Sequence, residues 1–114
     1  VSSQLHQKMI SSLVVALLIT MVHAEEEPEL YNCYHCTPCL GGEVFRPTST
    51  HDRCRFCTYI ETWDEGRIVQ VSRTCGNEEC VGHDTVVDAH GERRVCCTGD
   101  LCNESLASAR ANSS

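Results

Sequence analysis

Beyond position 8 the chain contains no lysine. Of nine basic residues, Lys8 is the one lysine, which leaves eight arginines against sixteen aspartates and glutamates. A surface this acidic disfavours nucleic acid and anionic lipid as general partners. Aromatic residues make up 5% of the chain, and the large apolar side chains are scattered, so there is little material for a conventional hydrophobic core. Outside the first 24 residues no stretch keeps a helical period for more than two turns. There is no internal repeat and no long linker. One small, non-helical domain is therefore expected. No apolar run reaches the roughly 20 residues that a membrane-spanning helix needs. Residues 104–114 hold a single large apolar side chain, Leu106. They read as a flexible polar tail without the hydrophobic signal of a lipid anchor, and a freely released product is expected.

What is abundant is cysteine. Ten cysteines lie between positions 33 and 102, in the order C-x2-C, C-x2-C, C-x4-C and a terminal Cys96-Cys97-Thr-Gly-Asp-Leu-Cys102-Asn103. Such a pattern is a disulfide scaffold in an exported chain and a metal-site candidate in a cytosolic one. The N-terminus decides between these. Lys8 precedes an apolar run over residues 10–22, followed by His23, Ala24 and the acids Glu25, Glu26 and Glu27. A basic flank, a short apolar stretch and small residues at Val22 and Ala24 read as a secretory signal peptide over residues 1–24. Met9 then reads as the initiator and residues 1–8 as untranslated or fragmentary sequence. Export implies an oxidising compartment, and an even cysteine count leaves no thiol over. A domain this small with so thin a core is marginal without such cross-links.

Within residues 25–103, the runs Thr58-Tyr-Ile-Glu-Thr-Trp63 and Arg67-Ile-Val-Gln-Val-Ser-Arg73 are rich in β-formers and partly alternating. Asp64-Glu65-Gly66 between them predicts a hairpin. Thr85-Val-Val87, a turn at Asp88-Ala-His-Gly91, and Arg93-Arg-Val95 predict a second, weaker hairpin. Residues 39–54, with Gly41-Gly42 and Pro47, read as a looser loop. The expected fold is small, all-β and disulfide-rich, with hairpin loops leaving a cystine core.

Three chemistries compete with this reading. Cys33-x2-Cys36 and Cys54-x2-Cys57 have the spacing of a zinc ribbon, but the leader, the additional Cys39 and the Cys96-Cys97 pair argue against it. Cys36-Thr-Pro-Cys39 has a redox spacing, yet Gly41-Gly42 follow it where a helix N-terminus would be needed. His35, His51, His83 and His90 read as exposed loop residues, and no nucleophile has an activating neighbour, so no enzyme is expected. Neither metal nor cofactor is called for. Two N-x-[ST] sequons occur, at Asn103 and Asn112.

The opening Leu30-Tyr-Asn-Cys33-Tyr34-His-Cys36 and the ending Cys96-Cys97-Thr-Gly-Asp-Leu-Cys102-Asn103 together resemble the three-finger superfamily, which includes the lymphocyte-antigen-six/urokinase-receptor domains and the snake three-finger toxins. The resemblance covers about residues 30–103. It implies the pairs Cys33–Cys57, Cys36–Cys39, Cys54–Cys75, Cys80–Cys96 and Cys97–Cys102, and a structural role for Asn103. Cys36 and Cys39 are closer together than the family spaces them. The resemblance further implies a secreted, monomeric binding protein, toxin-like or an endogenous modulator, acting on an extracellular receptor or ion channel such as the nicotinic acetylcholine receptor. The alternative is an extracellular structural or immune adhesion-type module of this fold or of a von Willebrand C-like fold.

A binding tip is expected at Trp63, Asp64, Glu65 and Arg67. Trp and Arg around a tight turn are the residue types most often found as interface hot spots. Trp-Asp-Glu-Gly-Arg is also similar to the central finger of receptor-binding toxins, with Gly and Arg in reversed order.

Overall fold

The computed structural model describes residues 27–113. The expected signal peptide, residues 1–24, lies outside the described residues. The chain forms a small all-β structure of antiparallel sheets. Its strands are β1 (Tyr31–Tyr34), β2 (Thr50–Cys54), β3 (Phe56–Asp64), β4 (Arg67–Gly76), β5 (His83–Asp84) and β6 (Gly91–Cys97). β1 pairs with β2, and the other four form one sheet in the order β4-β3-β6-β5.

β3 and β4 are the longest strands, as their β-branched and aromatic content favours. Asp64 pairs with Arg67 across a two-residue turn. Glu65 and Gly66 have φ of 51° and 78°, the left-handed conformation that a tight hairpin turn needs to match the strand twist. Below the turn the register shifts, so that Thr62 faces Gln70 and Trp63 faces Ile68. Val69 is the extra residue of a bulge.

The second expected hairpin is less regular than its sequence suggests. β5 contains only His83 and Asp84, paired with Arg94 and Arg93. The expected strand Thr85-Val-Val87 is reduced to local bonds. Thr85 N donates to the Glu92 carbonyl at 2.9 Å, and Val87 and His90 exchange backbone bonds at 2.8 and 3.0 Å. Asp88 and Ala89 turn the chain with φ of 52° and 61°. Gly91 closes the turn, and a Cβ there would overlap the Thr85 carbonyl.

The end of the expected loose loop is a strand, since β2 pairs Cys54 with Tyr31 and His51 with Cys33. Beyond β1 the chain runs along the outer edge of β4. Cys36 and Arg73 exchange backbone bonds of 2.9 Å, and Cys39 N donates to the Val71 carbonyl at 2.7 Å.

Five disulfides close the structure: Cys33–Cys57, Cys36–Cys39, Cys54–Cys75, Cys80–Cys96 and Cys97–Cys102. Cysteines also make up most of the core. Cys33, Cys39, Cys54, Cys57, Cys97 and Cys102 surround Tyr59, Val71 and Ala109. So many disulfides fit an oxidising, extracellular compartment. Among the described residues no helix is long and apolar enough to cross a membrane.

The segment read as a flexible polar tail is ordered against this core. A 3-10 turn (Cys102–Glu104) leads into a short helix, α1 (Leu106–Ala111). Ser105 caps it by accepting from Ser108 N at 3.1 Å, as N-cap serines do. Ala109 is fully buried, and Thr98 N donates to the Asn112 carbonyl at 3.1 Å. A small residue on the inner face lets the helix sit close to the cystines, which composition alone does not reveal.

Candidate functional site

The alternation of β3 puts Tyr59, Glu61 and Trp63 on one face of the sheet. Their cross-strand neighbours on β6 are Val95, Arg93 and Gly91. Glu61 is 3% exposed, and a buried carboxylate must be hydrogen-bonded to persist. Three donors reach it. Tyr59 Oη donates to Oε2 at 3.0 Å, Trp63 Nε1 to Oε1 at 3.1 Å and Arg93 Nη1 to Oε1 at 3.0 Å. Arg93 Nε also donates to Asp84 Oδ2 at 2.9 Å, and the Arg93 guanidinium lies 5.7 Å from the Trp63 ring centroid. The network thus runs from Asp84 on β5 through Arg93 on β6 to Glu61 and Trp63 on β3.

These contacts set the local electrostatics. The hydrogen bond from Arg93, helped by the Val86 N–H, holds the Asp84 carboxyl below its ordinary pKa, while the bond to Asp84 raises that of Arg93. Burial, then the charge and hydrogen bond of Glu61, push the Tyr59 hydroxyl well above the usual tyrosine range, with Arg73 opposing.

The expected tip residues are brought together, in two different environments. Trp63 is half-buried, with its ring against Arg93 and its indole N–H on Glu61, so it both supports the sheet and borders the tip. Asp64, Glu65 and Arg67 are exposed. Asp64 Oδ1 lies 2.7 Å from His90 Nδ1 on the neighbouring turn, which ties the ends of the two hairpins together. Among the described residues Arg67 forms no ion pair with an acid.

Asn103 lies far from the tip and is completely buried. Its Nδ2 donates to the carbonyls of Tyr34 at 2.9 Å and Thr58 at 3.0 Å and approaches that of Thr74 at 3.5 Å, and its Oδ1 accepts from Tyr34 N at 3.0 Å. It joins β1, β3 and β4 to the C-terminal turn.

Sequence reasoning missed Glu61, Arg93, His90 and Arg73. For Glu61 a signal existed, because positions 59, 61 and 63 share a face. For Arg73 none did. Its buried guanidinium donates to the Asn103 carbonyl at 3.0 Å and to the Glu104 carbonyl at 2.8 Å. It also lies 5.3 Å and 5.5 Å from the centroids of Tyr59 and Phe45, and its desolvation lowers its pKa. The remaining histidines are engaged as well. His83 Nε2 lies 3.0 Å from Glu92 Oε1, and His35 stacks on His51 with centroids 4.1 Å apart. Among the described residues no group of three or more His, Cys, Asp or Glu is arranged to hold a metal ion.

Comparison with known proteins gives no match to a family model, a curated protein or a solved structure.

Proposed function

We propose that this chain is an exported three-finger binding protein that recognises an extracellular protein target, a cell-surface receptor or an ion channel, through the end of the β3–β4 hairpin. The observation that carries this reading is how the hairpin is held. Its base is cross-linked at Cys57 and Cys75. Trp63 stands six residues beyond Cys57, about 20 Å along an extended strand. The turn is fastened sideways by the Asp64–His90 contact and by the Glu61–Arg93–Trp63 network. A presented loop held this firmly loses little conformational entropy on binding, and preorganisation is what lets a small scaffold bind tightly.

The tip offers Trp63 as an oriented aromatic edge, exposed carboxylates at Asp64 and Glu65, and an exposed guanidinium at Arg67. Mixed charge beside a fixed aromatic suits a protein surface. Receptor-binding toxins and endogenous modulators of the superfamily use their loop tips in this way. The nicotinic acetylcholine receptor is one target class that the resemblance implies, although the reversed Gly-Arg order does not single it out.

The test uses the full chain secreted from eukaryotic cells and a panel of receptor ectodomains and ligand-gated channels displayed on cells. A target is expected that binds the wild type and loses at least tenfold in affinity with Glu65→Arg/Arg67→Glu. Both sites are exposed, so the fold should survive. Binding unchanged by this pair would place recognition elsewhere. Self-association in place of target binding would favour an adhesion-type module.

A further inference from the structure

The two sequons have opposite structural fates, and the difference assigns a modification site. Asn103-Glu-Ser105 and Asn112-Ser-Ser114 both satisfy the N-x-[ST] rule for N-glycosylation. Asn103 has no exposed surface, and its side-chain nitrogen faces the carbonyls of Tyr34, Thr58 and Thr74 at 2.9 to 3.5 Å. A sugar on that nitrogen has no room, and its attachment would remove a donor from a fully enclosed site. Chains glycosylated there before folding cannot reach this structure.

Asn112 is exposed. It sits just past the last residue of α1, where its Nδ2 donates to the Ser108 carbonyl at 2.9 Å. One proton of the amide serves that bond and the other faces no protein acceptor among the described residues. We propose that Asn112 carries an N-linked oligosaccharide and that the Asn103 sequon is silent in the folded protein. The donor is a lipid-pyrophosphate-linked oligosaccharide. The Asn112 amide nitrogen attacks its anomeric carbon, and the C–N bond forms as the C–O bond to pyrophosphate breaks. The pyrophosphate leaves with the bonding pair, and one amide proton passes to the transferase's base. The remaining amide proton can keep the bond to Ser108.

The position also suits a binding protein. The Asn112 carbonyl accepts from Thr98 N at 3.1 Å, next to Cys97, which lies opposite Cys57 in the β3–β6 strand register at the base of β3. Trp63 is about 20 Å farther along the same strand. A glycan at Asn112 is therefore attached at the cystine end of the sheet and not at the hairpin tip.

The inference shares with the proposed function only the export of the chain, and it does not depend on what the tip binds. The test is intact mass of the full chain secreted from eukaryotic cells, before and after peptide-N-glycosidase. Ser114→Ala removes the Asn112 sequon without touching the amide, and Asn112→Gln removes the acceptor itself. One enzyme-sensitive glycan is expected in the wild type and none in either variant, with all three proteins secreted and folded. Unglycosylated protein in the medium, or a glycan that persists in Ser114→Ala, would overturn the proposal. Protein retained in the cytosol would overturn the export on which both readings rest.

Discussion

Replacing Asn103 with alanine leaves the Tyr34 amide and the Thr58 and Tyr34 carbonyls without their partner inside the cystine core. Unsatisfied buried groups of this kind cost about 1–3 kcal/mol. Asn103→Ala is therefore expected to lower the unfolding free energy by about 1–3 kcal/mol, read as a lower denaturation midpoint, and an unchanged midpoint would refute the structural role. Tyr59 should respond to pH. Its pKa is raised by burial and by Glu61 above the ordinary value of 10.0. A group with a raised folded pKa contributes stability that is fully present below its unfolded pKa. That contribution is lost as pH rises above it, here from about pH 10 upward. Tyrosine absorbance titration should show Tyr59 ionising last, only as the protein unfolds and after the exposed Tyr31, whose hydroxyl the bond to Glu29 also raises, and Tyr59→Phe should remove that last phase. If the late phase survives in Tyr59→Phe, the hydroxyl is not held as the structure describes.

Among the elements, the β3–β4 hairpin was legible because two β-rich runs flank Glu65-Gly66, and Gly in a two-residue loop is a local signal. The β1–β2 pairing was not. β2 reads Thr-His-Asp-Arg-Cys with four exposed positions, so no alternation marks it, and it is held by backbone pairing and cystines. The docking of Cys36 and Cys39 on the edge of β4 likewise leaves no periodic trace, because it rests on a few backbone bonds made by an irregular segment. α1 was missed for a further reason. Six residues are too few to form a helix alone, since nucleation is costly, and only packing against the core stabilises it. Its Ser105 cap and alanine content were the available signals. Docking predicts an asymmetric response. Ala109→Leu overpacks a fully enclosed site and should cost about 1–3 kcal/mol. Ala107→Leu, on the exposed side, should stay within about 0.5 kcal/mol. Equal effects in chemical denaturation would mean that the segment is the solvated tail its composition suggests.

For the whole molecule, the covalent framework matters more than apolar burial, since among the described residues Tyr59, Val71 and Ala109 are the only buried apolar residues that join the cystines in the core, with Tyr31, Ile68, Val95 and Leu106 partly buried against it. The unreduced protein should have lost ten hydrogens relative to the reduced one, corresponding to the five bridges. Long-loop bridges each contribute about 2–4 kcal/mol, so reduction should unfold the chain. The high and even cysteine count made the disulfide class legible. The order of pairing came only from the resemblance, because spacing alone leaves many connectivities open. At the candidate site, the turn residues were legible, whereas the buried Glu61–Arg93 support was not, because residues from three strands build it. The most direct test of the central claim, that a rigid hairpin tip recognises an extracellular protein, is the affinity of wild type and Glu65→Arg/Arg67→Glu for the target found on the displayed receptor panel. At least a tenfold loss is expected, with the thermal midpoint unchanged. Equal affinity at equal stability would contradict the claim.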